Sequence, residues 1–148
     1  MDTAISNGRR LWLIWGTAGF GVLWNAYGIQ QFFAQVGKGS ASMMDYAGMT
    51  AEQAMVMSNL PFWMTGAFAI GVLGGLVGSI LLFMRKKLAE VVFHVSLVSY
   101  IALYIGDIVY GVFGALGTEQ VVVLTTVVAI AAGLSFFSRK LNTAGKLT

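Results

Sequence analysis

Four long stretches of the chain are almost free of charge and are separated by short charged clusters. Residues 11–36, 60–84 and 120–138 contain no charged side chain, and residues 91–118 contain only Asp107 and the histidine His94. The apolar residues run continuously instead of alternating, which argues against the strands of a membrane barrel. Because a helix needs about 20 mainly apolar residues to cross a bilayer, the pattern predicts four transmembrane helices.

The composition supports this class. The chain has 148 residues, of which 57% are hydrophobic and 10% charged, whereas a soluble domain carries about 25% charged residues. A chain of this length cannot hide so much apolar surface in one core, and a disordered chain would be less hydrophobic and more charged. We therefore expect an all-α membrane protein of one domain, folded as a four-transmembrane-helix bundle with the lipid bilayer as its first partner.

Charge gaps and turn residues give the predicted boundaries. The predicted segments are a tail (1–10), helix 1 (11–36), an external loop (37–60), helix 2 (61–84), a turn (85–87), helix 3 (88–113), an external turn (114–118), helix 4 (119–138) and a second tail (139–148). Within the loop, Thr50-Ala51-Glu52-Gln53 matches a capping box. It predicts a short external helix over residues 51–59, and Pro61 suits the first turn of helix 2.

Basic residues mark one side of the predicted bundle. Eight of the nine lysines and arginines fall in the two tails and the 85–87 turn, and Lys38 alone lies on the other side. Since basic loops stay in the cytoplasm, we expect both termini and the turn to be cytoplasmic. The excess of basic residues is explained by this topology, so nucleic-acid binding is not expected.

Small residues recur at helical spacing in predicted helix 2. One row contains Ala67, Gly71, Gly75 and Ser79, and a second row contains Gly74 and Gly78. Helices 1 and 4 repeat the spacing at Thr17, Gly21 and Asn25 and at Thr125, Ala129 and Gly133. Such rows let helix backbones approach closely in lipid. Two interpretations stay open: packing within the bundle, or contact with another chain or another copy.

Helix 3 carries most of the polar side chains expected inside the membrane. Tyr100, Tyr104 and Asp107 fall on one broad stripe of this helix. An ionisable residue within a membrane is a candidate functional group, so Asp107 is a candidate carboxylate for proton or cation coupling. Alternatively, it reaches the external headgroups or is satisfied by tyrosine hydroxyls and Asn25. With Asn25 and Gln30, these residues form a candidate polar pocket that opens outward.

Glu90 and His94 form a second polar pair, one turn apart near the cytoplasmic start of helix 3. They can hydrogen-bond to each other, or Glu90 can pair with the basic residues 85–87. One histidine and no cysteine do not supply a usual metal ligand set. Without a catalytic spacing or a phosphate-binding glycine loop, we expect no metal, no cofactor and no enzymatic activity.

Several motifs resemble a known family. They are Leu23-Trp24-Asn25-Ala26-Tyr27-Gly28, Leu60-Pro61-Phe62-Trp63, Gly74-Gly75-Leu76-Val77-Gly78-Ser79 with Leu81-Leu82, Arg85-Lys86-Lys87, and residues 89–97. Together they are similar to small four-helix bacterial inner-membrane proteins that are loosely labelled sugar transporters. The resemblance implies a bacterial inner (cytoplasmic) membrane and, less strongly, transport. It carries over no catalytic or binding residue.

Two hypotheses for function follow. In the first, the chain is a non-enzymatic packing or accessory component of a larger or homo-oligomeric membrane assembly. In the second, it transports a small, sugar-like solute as an oligomer, with Asp107 as the coupling carboxylate. The surplus of small-residue rows favours the first hypothesis, and the intramembrane carboxylate favours the second.

Overall fold

The structure, a computed structural model, describes residues 2–36, 44 and 48–148. These residues form helices and connecting turns, with no strand among them. In chain order the helices are α1 (Asp2–Gln35), α2 (Ala51–Ser58), α3 (Phe62–Phe83), α4 (Leu88–Val109), α5 (Val112–Leu116) and α6 (Thr118–Thr143). The prediction of an all-α chain is confirmed.

Three of these helices, α3, α4 and α6, are long and apolar enough to cross a membrane. This identifies the chain as a membrane protein. Although α1 has 34 residues, it is not among the candidate spans found in the described part of the chain. Its apolar sequence is interrupted by amides, which lower its hydropathy: Asn25, Gln30, Gln31 and Gln35. Of the four predicted crossings, three therefore correspond to helices that are long and apolar enough to span a membrane.

Several helix bounds differ from the predicted ones. Helix α1 begins at Asp2, so residues 2–10, predicted as a tail, continue the helix. The third long helix ends at Val109, because Gly111 takes a positive φ of 71° and starts the separate helix α5. Helix α6 continues to Thr143, beyond the predicted end at residue 138. Residues 37–43 and 45–47 of the predicted external loop lie outside the described residues.

Helices α1 and α3 pack side by side in opposite directions. A Cβ built on Gly21 would meet Ser79, and one on Gly28 would lie 2.9 Å from a methyl of Val72. Between these contacts, the side-chain amide of Asn25 lies directly against Gly75. In all three contacts the two residue numbers add up to 100, so the register is constant along the pair. The absence of a side chain at Gly75 gives Asn25 its place.

Helix α3 uses a neighbouring face to pack against α4. Cβ atoms built on Gly74 and Gly78 would come within 3.1 Å of Ser96 and 2.9 Å of the Phe93 ring. The hydroxyl of Ser96 donates a hydrogen bond across the interface to the carbonyl oxygen of Gly71 at 2.6 Å. This pair has the most extensive contact in the molecule, followed by α1 with α3 and α4 with α6.

Two apolar clusters join the four long helices into a bundle. The first lies toward the 85–87 turn and the second nearer the middle. The first contains Ile14, Ala18, Leu82, Ala89, Phe93, Leu134 and Leu147, and the second contains Val72, Tyr100 and Ala131. Side chains of α1 and α6 meet in the first cluster, whereas the backbone of α1 packs mainly on α3 and that of α6 mainly on α4.

At one end of the bundle, α2 packs against α5. The capping box at Thr50 and Gln53 is formed in both directions, with the Thr50 side chain accepting from the Gln53 backbone and the Gln53 side chain accepting from the Thr50 backbone. Gln53 Nε2 also donates to the carbonyl oxygen of Ala115 at 3.1 Å. Ala54 of α2 and Val112 of α5 are fully buried. One glutamine therefore both starts α2 and ties it to α5.

At the opposite end, residues 146–148 form a clasp over the turn between α3 and α4. The guanidinium of Arg85 donates twice to the carbonyl oxygen of Lys146, at 3.2 and 3.1 Å. The Thr148 N–H donates to the Arg85 carbonyl at 2.7 Å, and the Lys87 N–H donates to the Thr148 carbonyl at 3.0 Å. Leu147 is buried in the first apolar cluster. The basic residues of the turn and of the α6 end thus lie at the same end of the bundle.

Arg85 adopts a backbone conformation that favours glycine. Its φ is 58°, and the Lys86 N–H bonds to the carbonyl oxygen of Leu81 at 2.8 Å, as in a helix terminus closed by a left-handed residue. This conformation costs a residue with a side chain roughly 1–2 kcal/mol. The hydrogen bonds of Arg85 to the clasp offset that cost.

The close contact at Gly75 leads to a stability prediction. We expect Gly75→Ala to destabilise the protein by about 1–3 kcal/mol, because the new methyl overlaps the Asn25 amide. Gly66→Ala is the matched control on the same helix, since its Cβ would meet nothing within 4 Å; it should be neutral or stabilising by up to about 1 kcal/mol. Unfolding of both variants in detergent, followed by circular dichroism, measures the difference. Equal stability of the two variants would contradict the α1–α3 packing.

Candidate functional site

Asn25, the first residue of the predicted pocket, is sealed between α1 and α3. Only 3% of it is exposed. Its Nδ2 donates to the carbonyl oxygen of Gly21 on its own helix at 2.8 Å, while its amide contacts Gly75. Gly75 lies beyond the midpoint of α3, toward the Arg85 turn, so Asn25 lies in the half of the bundle nearer that turn, whereas Asp107 lies near the opposite end of α4. Asn25 therefore acts as a packed, internally bonded group.

The two tyrosines of the predicted pocket have different surroundings. Tyr100 is buried, with its ring against Gly71 of α3. Tyr104 lies at the α4–α6 boundary, where its hydroxyl oxygen is 3.2 Å from Thr125 Oγ1 and its ring packs edge-on against Phe113, with centroids 5.1 Å apart. Only Tyr100 faces the interior of the bundle.

Asp107 is a buried carboxylate in the last turn of α4. Only 3% of the residue is exposed, and its Oδ2 accepts a hydrogen bond from Gln120 Nε2 in the first turn of α6 at 3.1 Å. The preceding residue, Gly106, leaves room for Trp63 and Met64 of α3, whose atoms would lie 2.8 Å from a Cβ there. The interpretation that Asp107 simply reaches the headgroups does not fit this burial. Gln120, which the sequence analysis did not single out, is its partner.

The five predicted pocket residues do not meet at one point. Asn25 lies level with Gly75, and hence with Ser96 of the neighbouring α4. Asp107 is 11 residues further along α4, or about 16 Å at 1.5 Å per residue. Gln30 is exposed on the outside of α1. These residues therefore do not form a single polar pocket, because Asn25 and Asp107 lie at different levels and Gln30 faces outward.

The Glu90–His94 pair is joined differently from the prediction. His94 Nδ1 donates to the backbone carbonyl oxygen of Glu90 at 2.7 Å, because that oxygen can only accept. The Glu90 carboxylate instead accepts from Asn142 Nδ2 of α6 at 2.5 Å. Asn142 lies beyond the predicted end of helix 4 at residue 138, so sequence reasoning placed it in a tail and missed the contact. The two side chains do not form a joint site.

The small-residue rows are divided between the inside and the outside of the bundle. Gly75 and Ser79 receive α1, whereas Gly71, Gly74 and Gly78 receive α4. Ala67 is half-buried. The row on α6 is different, since its three members are exposed: Thr125, Ala129 and Gly133. The packing interpretation therefore accounts for the rows on α1 and α3. In the α6 row, Thr125 reaches Tyr104 of α4, and Ala129 and Gly133 are left exposed among the described residues.

The chemistry available inside the bundle is limited. In the described residues, no group of three or more His, Asp or Glu side chains is placed to hold a metal ion, and no enclosed side-chain nitrogen or oxygen lacks a hydrogen-bond partner. Asp107, bonded to Gln120, is more fully enclosed than Glu90, the other carboxylate singled out from the sequence.

Comparison with protein-family models, with curated proteins and with solved structures finds no match.

The Asp107–Gln120 bond gives a second prediction. We expect Gln120→Leu to destabilise the protein by about 1–3 kcal/mol, because it leaves a buried carboxylate without its side-chain donor. In an Asp107→Leu background the same substitution should cost clearly less, since no carboxylate remains to be satisfied. A double-mutant cycle on the unfolding free energy in detergent measures this coupling. An identical loss in both backgrounds would show that the bond does not contribute.

Proposed function

We propose that this chain is a non-enzymatic, multi-pass membrane protein that serves as a packing or accessory component of a larger or homo-oligomeric membrane assembly. The observation that carries the proposal is the pair of exposed small residues Ala129 and Gly133 on α6, which continue the row that begins at Thr125 beside Tyr104. Rows of this kind support close helix association in lipid. The equivalent rows on α1 and α3 are already used inside the chain.

The proposal includes α1 as a fourth membrane-crossing helix. Helix α1 runs along α3 in constant register at Gly21, Asn25 and Gly28, so it shares the depth of a helix that is apolar enough to cross. Its buried amide, Asn25, bonds to its own helix. The low hydropathy of α1 is therefore compatible with a membrane position, because packing conceals this amide from lipid.

Aromatic pairs at the two ends of α3 support the same placement. Trp63 packs near Tyr110, with ring centroids 6.3 Å apart, and Trp15 of α1 packs near Phe83 at the same separation. Trp63 and Phe83 are 20 residues apart, or about 30 Å along a helix. That length matches the hydrocarbon thickness of a bilayer, and tryptophan and tyrosine favour its interfaces.

The orientation in the proposal follows from the basic end. The turn at residues 85–87 and the end of α6 are held together by the clasp, and the basic loops of membrane proteins face the cytoplasm. The proposal therefore places both termini in the cytoplasm and α2 outside, in a bacterial inner membrane. The family resemblance supports this location, and two of its motifs, around Asn25 and Gly75, pack against each other.

The orientation is tested by labelling single cysteines, since the natural chain contains none. Glu52 and Thr143 are both exposed, at opposite ends of the bundle. In intact cells, a membrane-impermeant maleimide should modify Glu52→Cys and leave Thr143→Cys unmodified until the membrane is opened. Labelling of Thr143→Cys in intact cells would reverse the proposed orientation.

A transport function is the second candidate, and the burial of Asp107 favours it. A carboxylate enclosed within a membrane helix is often part of an ion or substrate pathway. In this structure, however, the level of Tyr100 and Gly71 is closely packed, so transport requires either a rearrangement of the bundle or a pathway shared between copies. This candidate therefore also needs an oligomer.

Gentle extraction from native membranes, followed by mass spectrometry of the purified complex, tests the proposed function. We expect stoichiometric companion chains, either foreign subunits or further copies. Ala129→Leu should reduce their recovery because it adds bulk to the α6 row. Ile101→Leu, an exposed position at a similar level on α4, is the control and should not. A monomer without companions would overturn the proposal.

The complex purified in this way also distinguishes the accessory role from transport. A homo-oligomer that moves a labelled sugar across vesicles and loses this flux on Asp107→Asn supports transport. Stoichiometric foreign chains without such flux support the accessory role.

A further inference from the structure

The outer face of α1 carries an evenly spaced row of exposed residues. Gly16, Phe20, Leu23, Tyr27 and Gln30 are separated alternately by four and three residues and are all exposed; we call them the α1 seam. This is the spacing of the contact positions in a coiled coil. The seam lies opposite the face of α1 that packs inside the bundle, which includes Ile14, Ala18 and Asn25.

The seam contains an amide at a depth where lipid cannot satisfy it. In the register of the α1–α3 pair, Gln30 lies level with Ile70, eight residues inside the start of α3. That is about 12 Å into the bilayer core if α3 spans it. No hydrogen bond joins the Gln30 side chain to the residues described, whereas the neighbouring Gln31 donates to the Tyr27 hydroxyl at 2.7 Å. An unpaired amide in hydrocarbon is costly.

The seam also has a depression beside its smallest residue. Trp12, Leu13, Gly16, Thr17 and Phe20 line a shallow, open depression on the outside of α1. A Cβ built on Gly16 would meet nothing within 4 Å. The hollow lies about 20 Å from Gln30, counted as 14 residues along the helix. One face of α1 thus carries, at different heights, space for a close approach and an amide that forms no hydrogen bond with the residues the structure describes.

We propose that the α1 seam is the contact surface for a second copy of this chain. The inference rests on the proposed function, because it names the partner of a chain that works in an assembly. In a parallel pair related by a two-fold axis along the membrane normal, equivalent residues on the two copies meet. Each Gln30 amide then donates to and accepts from the other, and the hollow at Gly16 receives apolar side chains of the second copy.

A second copy provides the α1 seam with both apolar contacts and a hydrogen-bond partner for Gln30, whereas lipid or a partner in water does not provide both. Lipid chains cover the apolar positions Phe20 and Leu23 but offer no partner to Gln30. A single amide among apolar contact positions is the arrangement that sets register and copy number in paired helices. Because Gln30 is both donor and acceptor, it pairs with itself without any complementary residue on another protein.

Oxidative crosslinking in native membranes tests the seam. Leu23→Cys, with 74% of the natural side chain exposed, should give a disulfide-linked dimer. Val77→Cys is the matched control, because Val77 is exposed on α3 at the same level as Leu23, and it should remain monomeric. No dimer from Leu23→Cys, or equal dimer from Val77→Cys, would overturn the proposal.

The role of the amide is tested by a second pair of variants. Adding Gln30→Leu to Leu23→Cys should lower the dimer yield roughly tenfold, as expected for the loss of a reciprocal hydrogen bond in lipid. Adding Ile70→Leu, at the same level on α3, should leave the yield unchanged. Leucine suits a lipid-facing position, so both variants should fold, and circular dichroism checks this. An unchanged yield with Gln30→Leu would refute the pairing through the amide.

The outcome can be separated from that of the proposed function. If Leu23→Cys stays monomeric while foreign chains co-purify in fixed ratio, the seam proposal fails and the accessory role stands. If no companion of either kind is recovered, both fail.

Discussion

The contact between Asn25 and Gly75 is the constraint on which the bundle depends. Helix α1 carries more amides than a lipid-facing helix tolerates, and Asn25 can enter the interior only where α3 has no side chain. The amide is satisfied by the carbonyl oxygen of Gly21 on its own helix, so α3 need only provide space. Once α1 is placed in this way, its register aligns Gly21 with Ser79 and Gly28 with Val72, and its opposite face is left outside.

Much of the helical framework is predictable from the sequence, because α3, α4 and α6 are nearly uninterrupted apolar stretches and the capping box at Thr50 and Gln53 is a local pattern. Bounds set by tertiary contacts are not predictable in this way. The Glu90–Asn142 hydrogen bond stabilises the last turn of α6. The sequence predicted the helix end at residue 138, because the charges of Arg139 and Lys140 interrupt the apolar stretch there. The partner of Asp107, likewise, is 13 residues away on another helix.

The interior and the exterior of this bundle have opposite character. Inside, the glycines of α3 make room for the side chains of Asn25, Ser96, Tyr100 and Phe93. The enclosed side-chain nitrogen and oxygen atoms of the described residues all have hydrogen-bond partners. Outside, α6 presents the small residues Ala129 and Gly133, and α1 presents Gln30, which forms no hydrogen bond with the residues the structure describes. Features that are costly in lipid and that the fold does not use therefore lie on the surface. The proposed contacts with other chains are made by this surface.

The clasp has a consequence for how the protein is made. Leu147 enters the first apolar cluster beside residues of α1, α3, α4 and α6, yet it leaves the ribosome after all of these helices. Until then, the first cluster stays incomplete and Arg85 lacks the acceptor for its guanidinium. The end of the bundle at Arg85 is therefore completed by residues that are synthesised after all of its long helices, and its apolar site stays unfilled until residues 146–148 have been made.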